Sequence, residues 1–236
     1  MNKILFITLT LLFTNQIFSQ NLDKKSISYT NQQWSQYYNS IKVSKKWSII
    51  SDYAFRWRDS FEKKNQFVVR AGMGYQANGH ILISPGIAYV GYYNNNILSK
   101  KEIRPHQDVI IKHKYGALKT AHRFRFEERF IHNENTNSNS FVFRLRYRIM
   151  LNLPIIKNKL SFTIGDEIFA NIGNDIVYNV FSKNRLITGF SYKASEDLSV
   201  TMNYNNQFGA KNSAAIYQQD HVIWLGIKHK IDLTKS

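Results

Sequence analysis

The segment HRFRFEERF at residues 122–130 and the segment FRLRYRIML at 143–151 decide the fold. In an extended strand, residues i and i+2 point to the same side. Phe124, Phe126 and Phe130 therefore share one face, and Arg123, Arg125, Glu127 and Arg129 share the other. In the second segment, extended back to Phe141, the series Phe141, Phe143, Leu145, Tyr147, Ile149 and Leu151 alternates with Arg144, Arg146 and Arg148. Two architectures sort side chains in this way. A soluble β-sandwich buries its aromatic face and wets its arginines, whereas a membrane barrel turns the aromatics to lipid and the arginines to a wet lumen.

Strand length separates the two. From about Tyr29 to Leu233 the chain keeps period two in long stretches divided by Asn, Gly, Ser, Lys and Asp clusters. The pattern predicts strands over 30–43, 47–58, 66–76, 80–93, 103–114, 118–132, 141–153, 160–172, 181–194, 198–208 and 217–233. Soluble strands average about 5 to 6 residues, while a tilted spanning strand needs about 9 to 11. Apolar faces recur at Tyr53, Phe55 and Trp57, at Met73 and Tyr75, and at Phe190 and Tyr192. The expected fold class is all-β, a single antiparallel transmembrane barrel over residues 20–236.

The connections alternate between short (44–46, 78–79, 115–116, 154–159, 195–197) and longer and polar (60–65, 94–102, 133–140, 173–180, 209–216). That matches tight periplasmic turns and longer outer loops. Asn78-Gly79 carries the strongest hairpin signal, since both residue types accept the positive φ of a type I′ turn. Eleven strands conflict with the even number expected when both chain ends face the periplasm. Twelve is the preferred count, with residues 22–29 as a short first strand; ten is the alternative, with 30–43 outside the wall. Glu128 falls on the lipid side in this register, where a carboxylate is costly, so an outer-interface position or a bulge is expected. Trp224, Gly226 and Ile231 in the last strand only loosely suit a C-terminal assembly signal.

Residues 1–19 read as a cleavable export signal. Lys3 supplies the basic start, residues 4–13 are apolar apart from two threonines, and Ser19-Gln20 offers a small residue before a polar one. Cleavage is expected after Ser19. The apolar run is shorter than the ~20 residues a spanning helix needs. The absence of cysteine excludes thiol catalysis, thiolate metal sites and a lipoprotein anchor. The formal charge of +16 is the usual mark of a nucleic-acid binder, but an exported chain rarely meets nucleic acid, and none is expected as a partner.

HRFRFEERF, FRLRYRIML and GDEIF at 165–169 together resemble the bacterial domain-of-unknown-function 2490 family, with a similarity spanning most of the mature chain. These motifs are alternating strands, not catalytic signatures. The resemblance implies an exported outer-membrane β-barrel and brings no substrate or catalytic residue with it.

The charge is expected inside the barrel. Arg56, Arg58, Arg70, Arg104, Arg123, Arg125, Arg129, Arg144, Arg146, Arg148 and Arg185 take the lumen side with the acids Asp52, Asp108, Glu127 and Glu167. Arginine's planar donor fork pairs with carboxylate or phosphate. Arg56, Arg58, Arg123, Arg125, Arg129, Arg144, Arg146 and Arg148 are therefore the anion-binding candidates, for small anions or acidic oligosaccharides. A sealed ladder of paired side chains is the rival, because side chains fill small barrels. On the open-lumen reading, reversing Arg144, Arg146 and Arg148 to Glu should change ion preference without abolishing insertion.

A hydrolase is a third reading. His80, His106, His113, His122, His132, His221 and His229 supply bases, but none stands at a telling spacing from Ser or an acid. Asp166 and Glu167 point to opposite faces of their strand and cannot form a dyad within it. Neither a metal nor a cofactor is expected. Gly72, Gly74 and Gly86 lie within strands with no following helix, so wall packing explains them better than a phosphate loop. An adhesive role for the loops at 94–101 and 133–140 completes the alternatives, with outer-membrane lipid as the surrounding partner.

Overall fold

The computed structural model describes residues 25–173, 179–211 and 213–234. The expected leader at 1–19, residues 22–24 of the expected extra strand and most of the 173–180 loop lie outside the described residues. Eleven strands form one closed barrel: β1 (Ser26–Lys42), β2 (Trp47–Arg58), β3 (Lys63–Gln76), β4 (Ile81–Asn94), β5 (Ile97–Tyr115), β6 (Leu118–Asn133), β7 (Ser138–Ile156), β8 (Leu160–Ile172), β9 (Phe181–Lys193), β10 (Leu198–Ala210) and β11 (Ile216–Asp232). Each matches one period-two stretch of the sequence, usually lengthened by a few residues. A closed barrel excludes the sandwich.

The preference for twelve strands, and the alternative of ten, are both corrected to eleven among the described residues. Residues 26–29 do not make a separate strand but begin β1. Successive antiparallel strands alternate in direction, so the first and last of an odd set run the same way. Closure therefore requires a parallel pair, and β1 pairs with β11 in parallel from Ser26↔Ile216 to Lys42↔Asp232. Parallel ladders are slightly weaker per residue, and here the pairing runs the full length of both 17-residue strands. Trp34 and Trp224 lie opposite one another across this seam, with ring centroids 5.6 Å apart.

The loop asymmetry expected from sequence is mostly absent. One end of the barrel carries connections 43–46, 77–80, 116–117, 157–159 and 194–197; the other carries 59–62, 95–96, 134–137, 173–180 and 211–215. β5 and β7 extend into segments read as loops, and of the expected long connections only 173–180 stays markedly long. Asn78-Gly79 is not the positive-φ hairpin expected. Instead the Asn78 side chain accepts from the amides of His80 (2.9 Å) and Ile81 (3.0 Å) in a wider turn. The two-residue turn with both φ positive is Asn95-Asn96, at 49° and 64°, as a type I′ hairpin requires.

The wall is inside-out relative to a soluble protein. Phe124, Phe130, Leu145, Tyr53, Met73, Phe190 and Tyr192 all stand exposed on the outer surface. Glu128 does lie among them, half-buried and opposite Phe143. Gly72 and Gly86 are register partners on β3 and β4, and a Cβ on Gly72 would stand 2.5 Å from the Pro85 carbonyl oxygen. These glycines serve close wall packing, as their position within strands suggested.

Candidate functional site

Every arginine assigned to the interior by alternation does point inward, and the lumen gathers them into a belt. The ladder runs Arg123↔Arg148↔Glu167↔Arg185↔Gln207↔Asp220 across β6 to β11. Arg125↔Arg146 lies next to it. Like charges directly opposite repel, so the belt stands only because acids collect several arginines each.

Glu167 is the main collector. It is completely buried and accepts from Arg123, from Arg146 at 2.7 Å and from Arg185 at 3.3 Å. Glu127, also completely buried, accepts from Arg146 at 2.6 Å and has Arg104 and Arg125 each at 3.6 Å. Glu102 takes Arg104 at 2.9 Å and Arg129 at 2.6 Å. Asp108 takes Arg125 in a two-pronged pair, and Asp52 takes Arg70 in another. Each of these is a charge-assisted bond in a site that water barely reaches, where an unpaired partner would be costly.

Sequence reasoning missed three inward acids: Glu102 and Asp220, both buried, and Asp232, opposite Lys42 at the end of β11. Glu102 was missed because β5 was begun at Ile103, whereas pairing with β4 carries the strand back to Ile97. Asp220 had a legible signal: Ile223, Leu225 and Ile227 face outward, which puts Asp220, Val222 and Trp224 inward. Trp224 accordingly packs inside with Trp34, Ile187 and Val222, which places it in the lumen and not in an outward-facing terminal motif. Lys183 is a further inward cation that alternation with Arg185 could have revealed.

Of the eight anion-binding candidates, Arg123, Arg125, Arg129 and Arg146 are joined to the acidic collectors. Among the described residues, Arg56, Arg58, Arg144 and Arg148 make no ion pair. Arg56 donates to Gln66 and lies over the Trp34 ring at 3.9 Å. Arg144 Nε donates to Asn171 at 2.8 Å, with Ser182 Oγ at 3.5 Å. The Nε groups of Arg56, Arg58 and Arg148 find no protein acceptor. A cavity of about 300 Å³ lies among these side chains, lined by Arg56, Arg144, Arg148, Lys183, Trp224 and Phe169 with the belt.

The belt shifts at one mouth to lysine. Lys42, Lys112, Lys114, Lys119, Lys193, Lys228 and Lys230 hold inward register positions near the end of 43–46. Among the described residues only Lys42 has an ion pair there, with Asp232 at 3.1 Å. At the opposite rim, Lys101 Nζ donates to Glu134 in the 134–137 connection at 2.7 Å, and this hydrogen bond holds the Glu134 carboxyl below its usual range.

Of the seven histidines offered as bases, His122, His221 and His229 bond the hydroxyls of Tyr147, Tyr204 and Tyr37. Among the described residues no group of three or more His, Asp or Glu could hold a metal ion.

The family profile described as "Protein of unknown function (DUF2490)" matches residues 31–218. No curated protein matches the chain. Among solved structures, one described as "NanC porin structure in rhombohedral crystal form" aligns with a TM-score of 0.50 at 11% identity, covering 81% of this chain and 90% of that one. An anion-selective porin from Comamonas acidovorans aligns more loosely, with a TM-score of 0.38 at 11% identity, over 78% of this chain and 58% of that one. The likeness to the first is one of fold.

Proposed function

The chain belongs to the DUF2490 family, and from that premise we propose that it is an outer-membrane porin-type barrel, passive and not enzymatic, whose basic lumen admits small anions or acidic saccharides. The observation that carries this reading is the surplus of inward cations. Among the described residues eleven inward arginines face seven inward acids (Asp52, Glu102, Asp108, Glu127, Glu167, Asp220 and Asp232), so pairing within the lumen cannot neutralise them. A wall with apolar side chains outside and charges inside suits lipid around it and solute within it. The lysine-lined mouth extends the positive field outward, which concentrates anions at an entrance.

The test is single-channel conductance of the refolded protein in planar bilayers, with the reversal potential read under a salt gradient. Stable conductance with anion preference is expected. Pairing also divides the arginine candidates. Arg144→Glu and Arg148→Glu should shift the reversal potential toward cations while the barrel still folds, because neither arginine is held by a carboxylate. Arg146→Glu should unfold the barrel, because it sets a third carboxylate against Glu127 and Glu167, so the expectation that all three reversals leave insertion intact is kept for Arg144 and Arg148 alone.

A sealed lumen is the second reading, favoured by the complete burial of Glu127 and Glu167 at the belt. A heat-modifiable, correctly folded barrel with no conductance would establish it in place of the first.

A further inference from the structure

The cavity beside the belt holds more positive charge than its own acids neutralise. Arg56 from β2, Arg144 from β7 and Lys183 from β9 all line it without an ion pair among the described residues. They lie within electrostatic range of Arg185 or of each other. Asp220 is the acid nearest in influence to Lys183, but its oxygens are engaged by Thr30, Gln207 and Gln218. Arg144 is nine-tenths buried, and the Nε donors of Arg56 and Arg148 are buried without a protein acceptor. Guanidinium groups do not relieve such crowding by losing a proton. A bound anion relieves it.

We propose that this cavity is a binding site for a compact dianion of the phosphate class, inorganic phosphate or a small phosphomonoester, with Arg56, Arg144 and Lys183 as its cationic ligands. The proposal rests on the basic-lumen reading and narrows its solute. A phosphoryl group brings nearly two charges and three acceptor oxygens in one small volume, which suits several surplus cations around about 300 Å³ of space. The donors come from three separate strands and surround the space, matching oxygens that diverge in three dimensions more closely than a planar carboxylate. Trp224 and Phe169 add rigid apolar walls, and Phe169 is already covered by Arg146 at 4.4 Å and Arg185 at 5.1 Å. Glu167 and its arginines Arg123, Arg146 and Arg185 line the same space, and about 300 Å³ suits a compact anion better than an extended acidic oligosaccharide.

The full barrel, refolded in detergent in chloride buffer, is titrated with inorganic phosphate, with glycerol phosphate and with glucuronate, by calorimetry and by thermal melting. Phosphate or its monoester should raise the melting temperature saturably, and the tighter of the two identifies the source. Glucuronate should bind at least about tenfold more weakly, and Lys183→Met or Arg144→Gln should weaken phosphate binding at least about tenfold. Lys183→Met should also melt higher than the parent without phosphate, since it removes a repelling charge. Lys64→Gln, at an exposed lysine over the outer-face Tyr93 ring, should leave affinity unchanged.

Equal phosphate affinity in Lys183→Met and Arg144→Gln, or glucuronate binding as tight as phosphate, overturns the assignment. Anion-selective conductance without phosphate binding overturns this site and leaves the channel standing. Phosphate binding in a barrel that never conducts keeps the site and overturns the channel.

Discussion

The two walls of the lumen solve the problem of filling a barrel in opposite ways. The wall of β5 to β9 is ionic, built on arginines that share Glu102, Asp108, Glu127 and Glu167. The seam wall of β10, β11 and β1 is built mainly of rings and amides, with Trp34, Val222 and Trp224 beside Gln32, Gln36, Asn205 and Gln207. Its buried acid Asp220 is held by Thr30, Gln207 and Gln218 and by no cation among the described residues. Long charged side chains reach across the lumen to share an acid, so that wall tolerates imperfect register. Rings and amides reach only their neighbours, so the seam depends on the one alignment that sets Trp34 against Trp224. Charge thus dominates the wall of β5 to β9, while at the parallel closure ring packing is joined by Thr30–Asp220 at 2.6 Å and Lys42–Asp232 at 3.1 Å.

The largest effect should come from the ionic wall. Glu167→Gln keeps the volume but leaves Arg123, Arg146 and Arg185 without their shared charge. A loss of about 3 to 5 kcal/mol is expected for breaking such a buried network, read as a fall in the denaturant midpoint of the refolded barrel. A loss no greater than that of a surface carboxylate would show that the wall is wet and screened.

The seam should respond next. Trp34→Ala removes the ring that meets Trp224 and supports Arg56, and about 3 kcal/mol is expected for a large-to-small change at a buried aromatic. Opening should begin at the β1·β11 pair, so hydrogen exchange in β1 should rise before that in β6. Uniform exchange across both strands would erase the distinction between the walls. The smallest effect should be a gain. Asn205 is fully buried on the seam wall, and neither side-chain polar atom finds a protein partner, so Asn205→Leu should stabilise by about 1 kcal/mol.

The sequence made the strands legible because a strand's two faces are a local matter. Residue i fixes the side of i+2, and eleven alternating stretches became eleven strands with little change beyond their ends. The same rule placed Arg123, Arg125, Arg144, Arg146 and Arg148 inward. It failed at Glu102, where strand length depended on pairing with β4, and at the turns, where Asn95-Asn96 took the geometry expected of Asn78-Gly79. Period two counts eleven strands, and the even number expected from the chain ends does not hold because a parallel seam closes an odd set.

Alternation determined that each strand has one apolar and one basic face, and strand length turned the apolar face outward. Only the tertiary structure decided which arginines are neutralised and which remain free. Arg123 meets Glu167 from 44 positions away, and Arg56, Arg144 and Lys183 meet from three strands that never pair with one another. Those meetings depend on how many strands close the ring and with what stagger, and period two is the same at every strand number.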